Sequence, residues 1–163
     1  MAATLEFRLT GGSDNTDPDA SLGGEMSSEK LSSTAMNNLF DNVSPAEAAD
    51  GDVEYRAIDV YNSGDAEAQS VEIYMSAETS SPNSKLDFYN DDTTHDGSDQ
   101  DDEIADESTE PDGASWSHHT DSSKMALPNI PAGKAARLWI RRTISEGADN
   151  TNNDQGTIAV DYA

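Results

Sequence analysis

Three histidines and an excess of carboxylates are the groups in this chain that could do chemistry. His118 and His119 are adjacent. On a strand neighbours point to opposite faces, so the pair cannot chelate one ion side by side. His95 lies far away in an acidic stretch, and all three histidines read as surface residues. Acids gather at Asp17 with Asp19, at Asp91 with Asp92, across 99–103, and at Asp149 with Asp154. Hard cations want oxygen ligands, so any of these could hold Ca²⁺ or Mg²⁺. None fits the twelve-residue calcium loop, and a chain with 33 Asp plus Glu produces such groupings by composition alone. The expectation is diffuse cation binding by a solvated acidic face, with no dedicated cofactor. Paired carboxylates do acid–base work only where a shaped cleft drives their pKa values apart, and nothing singles out one pair. There is no G-x-S-x-G elbow and no glycine-rich phosphate loop. With no Cys, disulfides and thiolate metal sites are excluded. No catalytic residue is assigned, and the chain reads as a non-enzyme.

One patch breaks the acidic pattern: Arg137-Leu138-Trp139-Ile140-Arg141-Arg142. On a strand, Arg137, Trp139 and Arg141 share one face, and Leu138, Ile140 and Arg142 the other. Two readings follow. Trp139 is core and the arginines pair with the chain's own carboxylates, or Trp139, Arg137 and Arg141 anchor an interface with an acidic neighbour, since Trp and Arg are enriched at binding hot spots.

The charge narrows the partners. Nine Lys plus Arg stand against 33 acids, a formal net charge of −24. At ordinary ionic strength this load repels itself and opposes compaction. In molar salt the Debye length falls to about 3 Å and most of the repulsion disappears, so the composition fits a halophile or a virus of one. No basic stripe is present to neutralise phosphates, so nucleic acid is not expected as a partner. No apolar stretch approaches a membrane span. The first residues lack the pattern of a signal peptide, and synthesis in the cytoplasm is expected.

The elements that must position these groups are mostly strands. Leu5, Phe7 and Leu9 alternate with Glu6 and Arg8, giving a short strand with one apolar face. Leu31, Ala35 and Leu39 recur every fourth residue, which predicts a weak helix over 27–40. Ser44-Pro45-Ala46-Glu47 has the capping-box form and should start a helix of one or two turns that stops at Gly51. Residues 55–61 form a buried strand, with Ile58 and Val60 on one face and Tyr55, Ala57 and Tyr61 on the other. Asn62-Ser63-Gly64-Asp65 then turns the chain into a returning strand carrying Val71, Ile73 and Met75. Further short strands are expected at 85–89, 137–144 and around Ile158, Val160 and Tyr162, with a possible strand edge at Trp116. Between them, 87–112 holds 12 acids and no Lys or Arg. Such a segment should not bury enough apolar area to offset its ordering entropy, so it reads as an exposed, partly mobile insert. Residues 1–52 then make an N-terminal strand, loop and short helices. Residues 53–163 make a β-sandwich interrupted by the insert, the whole forming one domain. The fold class is all-β, a jelly-roll-like or immunoglobulin-like sandwich with one or two short N-terminal helices.

Several stretches together resemble structural proteins of tailed phages. These are the 5–9 strand followed by Gly11-Gly12, then Asp17-Pro18-Asp19-Ala20-Ser21-Leu22-Gly23-Gly24, Asn38-Leu39-Phe40-Asp41-Asn42-Val43-Ser44 and Glu54-Tyr55-Arg56. The run from Ile130-Pro131-Ala132-Gly133 through Ile144, continued by Gly147-Ala148-Asp149-Asn150, resembles the same group, whereas 87–112 departs from it. The resemblance implies a virion component and carries over no functional residues. Joined to the acid excess, it points to a tailed virus of haloarchaea. The expected role is a capsid-surface decoration or turret protein, homo-oligomeric and bound to other virion proteins, with its N-terminal strand free to complete a neighbour's sheet. The alternatives are a tail, baseplate or neck component, or a host-surface glycan-binding module using the loops at 79–84 and 147–156. Those loops carry no aromatic residue.

Overall fold

A computed structural model describes residues 1–34, 37–98 and 102–163. The chain folds into two antiparallel sheets packed as a sandwich. Strands β1 (Leu5–Thr10), β2 (Met26–Lys30), β3 (Asp52–Asn62), β5 (Ser84–Tyr89) and β7 (Ala135–Ile144) form the larger sheet, in the order β2-β1-β3-β7-β5. Strands β4 (Glu72–Ala77), β6 (Met125–Ala126) and β8 (Thr157–Asp161) form the smaller one, in the order β6-β4-β8. The two longest strands, β3 and β7, run antiparallel at the centre with Ile58 opposite Leu138 and Arg56 opposite Ile140.

The alternation read from the sequence sets which residues meet. Ile58, Val60, Leu138 and Ile140 point inward and meet Ile73 and Met75 of the smaller sheet and Val71 just before β4, with Leu127 and Ile130 from the adjoining turn. The opposite face of the β3–β7 pair carries Tyr55, Ala57 and Trp139, and it is buried as well. Both faces of the central pair are therefore interior, which is why 52–62 and 135–144 are so rarely exposed.

The short helix α1 (Pro45–Asp50) forms as its capping box predicts. The Ser44 side chain accepts from the Glu47 N–H, the Glu47 side chain accepts from the Ser44 N–H, and Gly51 ends the helix at φ 77°. The expectation for 27–40 is corrected. Residues 26–30 are strand β2, paired to β1, and no helix occurs over the described residues of 31–40; Ala35 lies outside them. The fourfold spacing of Leu31 and Leu39 reflects two separate contacts with the core, and the Ser-rich composition gives a helix nothing to hold it locally. β4 is a strand, but not the hairpin partner of β3. After the turn at 62–65 the chain crosses to the other sheet, because both edges of β3 are already taken by β1 and β7. β1 likewise has a partner on each side, so it is not free to complete a neighbour's sheet.

The acidic segment departs furthest from its expectation. It folds back over the outer face of the larger sheet. The chain past β5 follows the edge of β7, where His95 and Ala135 exchange backbone hydrogen bonds. The Met26 N–H then donates to the Gly97 carbonyl, the Ile104 N–H to Leu22 and the Tyr55 N–H to Glu107. Ile104 inserts beside Tyr55, Ala57 and Trp139. These bonds satisfy backbone groups that would otherwise lie unpaired on a buried face. Within 99–103, residues 99–101 lie outside the described part.

Candidate functional site

Two ion-pair clusters sit on opposite faces of the β3–β7 pair, and they are the chemically richest places among the described residues. On the outer face, Asp59 of β3 and Arg137 of β7 are cross-strand partners. Arg137 Nε donates to Asp59 Oδ1 at 2.7 Å and Nη2 to Oδ2 at 3.0 Å, the fork geometry that suits a carboxylate. Its Nη1 reaches Asp102 at 2.6 Å, and Nη2 also donates to the Gly24 carbonyl at 2.7 Å. Burial works against the Arg137 charge, but Asp59 and Asp102 outweigh it and raise the guanidinium above its ordinary range. His95 completes the group. Its Nδ1 accepts from the Gly97 N–H, so Nε2 is the nitrogen that donates to Asp59, at 3.0 Å. Both Asp59 oxygens are thus engaged, leaving no lone carboxylate poised as a base. Arg137 is a clasp that fastens the acidic segment to the sheet.

Trp139 lies beneath that segment at 3% exposure and Arg137 at 4%. The interface reading for these two is corrected: the chain's own residues 102–104 occupy the face they would offer to a partner. Arg141 is partly open. It donates to Asp87 at 2.6 Å and its guanidinium lies 5.2 Å from the Trp116 ring. Burial opposes the Asp87 charge, yet Arg141 and Lys85 outweigh it and hold Asp87 below the usual carboxylate range.

On the inner face the sandwich turns polar toward the start of β3. Glu54, Arg56 and Arg142 share this face with the apolar core. Residues 39–41 cross over them: Arg56 Nε donates to the Leu39 carbonyl at 3.0 Å and Arg142 Nη1 to the Asp41 carbonyl at 2.7 Å. The Phe40 ring stands 5.2 Å from the Arg56 guanidinium and 4.8 Å from that of Arg142. Arg56 pairs with Asp19 and Glu107, and Arg142 pairs with Asp41 and Glu54. Burial pushes Glu54 up to about 7, against the lowering pull of Arg142. Glu54 Oε1 is buried with no hydrogen-bond donor.

Reasoning on the sequence missed this second cluster. Its members at 19, 41, 54, 56, 107 and 142 come from five separate stretches. The available signal was that Glu54 and Arg56 fall in register with Ile58 and Val60, placing charges on a core face.

The histidines do not converge. His118 Nδ1 contacts the Leu86 carbonyl at 2.7 Å and Nε2 contacts Glu78 at 3.0 Å, while His119 contacts Ser117 and Ser123. Two of the acid groupings read from the sequence are turn chemistry, Asp154 bridges to a distant loop, and Asp102 belongs to the Arg137 clasp. Asp17 accepts from the Asp19 N–H, Asp91 from Thr93, and Asp154 from the Ser81 N–H. A cleft of about 280 Å³ lies between the acidic segment and the sheet, lined by Tyr89, Trp139, Ile104, Asp91, Glu110 and Asp112 among others.

No protein-family model, curated protein or solved structure matches this chain.

Proposed function

We propose that this domain is a non-catalytic structural component of a virus particle. In this reading it is a capsid-surface decoration or turret piece of a haloarchaeal tailed virus and acts in many copies. The disposition of charge carries the reading. Among the described residues, eight of the nine Lys and Arg stand in ion pairs with the chain's own acids, and three of the arginines are buried. The cations hold the sandwich together internally, and the exterior is left with the surplus that makes −24 overall. Such a surface is soluble and self-repelling in brine. The resemblance to structural proteins of tailed phages supports the setting. Strand β8 has one partner, β4, so its outer edge offers unpaired backbone groups to another copy or a neighbouring virion protein.

Mass spectrometry and antibody labelling of particles purified from the encoding host test the proposal. The protein should appear in many copies per particle on the head surface. Labelling confined to the tail would reassign it to the tail, and absence from the particle would end the proposal. Dialysis from molar into millimolar KCl, followed by circular dichroism, tests the salt argument: loss of the β signal is expected, and indifference to salt would remove that support.

A further inference from the structure

We infer that the polar end of the sandwich is a Ca²⁺ site, with Glu47, Asp52 and Glu54 as its protein ligands. Carboxylate oxygens of these three residues lie within 4.8 Å of one another. Oxygens bound to one Ca²⁺ at roughly 2.4 Å can stand no more than about 4.8 Å apart, so the three meet that upper limit, and small side-chain adjustments would draw them onto one ion.

Proximity alone would not distinguish this group from the rest of an acidic chain, but two observations do. The first is the orphaned oxygen. Glu54 is 2% exposed, its Oε2 is taken by Arg142, and its Oε1 is buried without a donor. A buried carboxylate oxygen with no partner is costly, and a cation is a group that would satisfy it. The second is the assignment of the nearby cations. A neighbouring acid trio, Asp41, Glu54 and Glu107, is equally close-set. Its closeness is explained by guanidiniums, since Arg142 holds Asp41 and Arg56 holds Glu107. Among the described residues no Lys or Arg pairs with Glu47 or Asp52. The Ser44 N–H, which donates to Glu47 Oε2 at 2.6 Å, is a neutral capping contact that leaves the other oxygen available.

The fold supplies the convergence. The capping box fixes Glu47 at the beginning of α1, Gly51 reverses the chain, and β3 then carries Asp52 and Glu54 on the same face, two residues apart. Glu47 and Asp52 are half-exposed, so water would complete the coordination. That irregular, partly wet shell of carboxylates suits Ca²⁺, which tolerates variable geometry, better than Mg²⁺, which demands a near-ideal octahedron.

Calorimetric titration of the whole chain with CaCl₂ in molar KCl is the test, because the monovalent salt saturates diffuse surface binding. One saturable site per chain is expected, with Kd on the order of 10⁻⁴ M, together with a rise in Tm that grows with Ca²⁺. Asp52→Asn leaves the Arg142 pair untouched and should weaken binding about tenfold or more. Asp14→Asn, which removes one exposed acid elsewhere, should leave it unchanged. Glu54→Gln should abolish the site if it folds, and Asp52→Asn carries the test if it does not. Absence of a saturable site in the wild-type chain, or equal Ca²⁺ affinity in Asp52→Asn and Asp14→Asn, would overturn the assignment.

Discussion

The two faces of the β3–β7 pair are both buried, yet they are covered by different means. The inner face is closed by another sheet, through Ile73 and Met75 with Val71 just before them, packed on Ile58 and Leu138. The outer face is closed by a segment almost without apolar residues, fastened by Arg137 and by backbone hydrogen bonds, with Ile104 as its buried apolar contact. An acidic stretch can therefore be ordered without a hydrophobic payload of its own, if the sheet beneath supplies a buried cation and unpaired N–H groups. The two covers should also respond differently to change.

The largest effect is expected at the clasp. Arg137→Ala leaves Asp59, which is fully buried, without its charge partner. It should cost about 3–5 kcal/mol in denaturant unfolding and strip hydrogen-exchange protection from the amide of Ile104. The paired replacement Arg137→Met with Asp59→Leu should cost less than the single change, because no buried charge is then left alone. Equal loss in both would mean that the outer cover depends on packing, and the contrast between the faces would collapse. On the inner face, Leu138→Ala should cost about 3 kcal/mol through lost burial and a residual cavity, with the Ile104 amide still protected relative to global unfolding.

The polar end of the inner face sharpens the contrast through pH. In divalent-free buffer the folded Glu54 titrates at about 7 against an ordinary 4.5, its proton being favoured by burial. A carboxyl raised on folding contributes stability that is full below about 4.5 and is lost as pH rises through about 7. The difference in unfolding free energy between the wild-type chain and Glu54→Gln should therefore shift by up to about 3 kcal/mol across that window. A flat difference would show that Arg142 keeps Glu54 ionised throughout. The smallest effect is expected at Arg141, whose side chain is 28% exposed in its pair with Asp87. Asp87 is buried but keeps Lys85 as a second cation, so Arg141→Ala should cost about 1–2 kcal/mol, less than Arg137→Ala, with a sensitivity to salt that Arg137→Ala should lack.

What was legible in the sequence was local. Two-residue alternation placed Ile58, Val60, Leu138 and Ile140 on one face, and the capping box placed α1, because each signal lies within a few residues of what it controls. What was not legible depended on partners far along the chain. Arg137 meets Asp102 across 35 positions and Arg142 meets Glu54 across 88. Composition suggested that 87–112 stays solvated, since the segment has little to bury. The missing information was that Trp139 and Arg137 needed a cover. The fourfold spacing of Leu31 and Leu39 misled for a related reason: two leucines can enter one core from irregular chain as well as from one helix face. Of the candidate Ca²⁺ ligands, Glu47 shows its capping role locally, whereas its meeting with Asp52 and Glu54 is hidden because it depends on the reversal at Gly51.

Gly23 sits where the strip of chain after the 3₁₀ turn at Pro18–Ala20 passes between Trp139 and the acidic segment. It has φ +97°, and a Cβ there would stand 2.6 Å from the Asp102 carbonyl oxygen and 3.0 Å from the Trp139 ring. A lineage descending from this chain could exchange many of its surface carboxylates with little penalty, but at position 23 drift has nowhere to go. Saturation mutagenesis under selection should return glycine there while neighbouring codons diversify, so the lightest residue in the outer cover is the one inheritance must guard most closely.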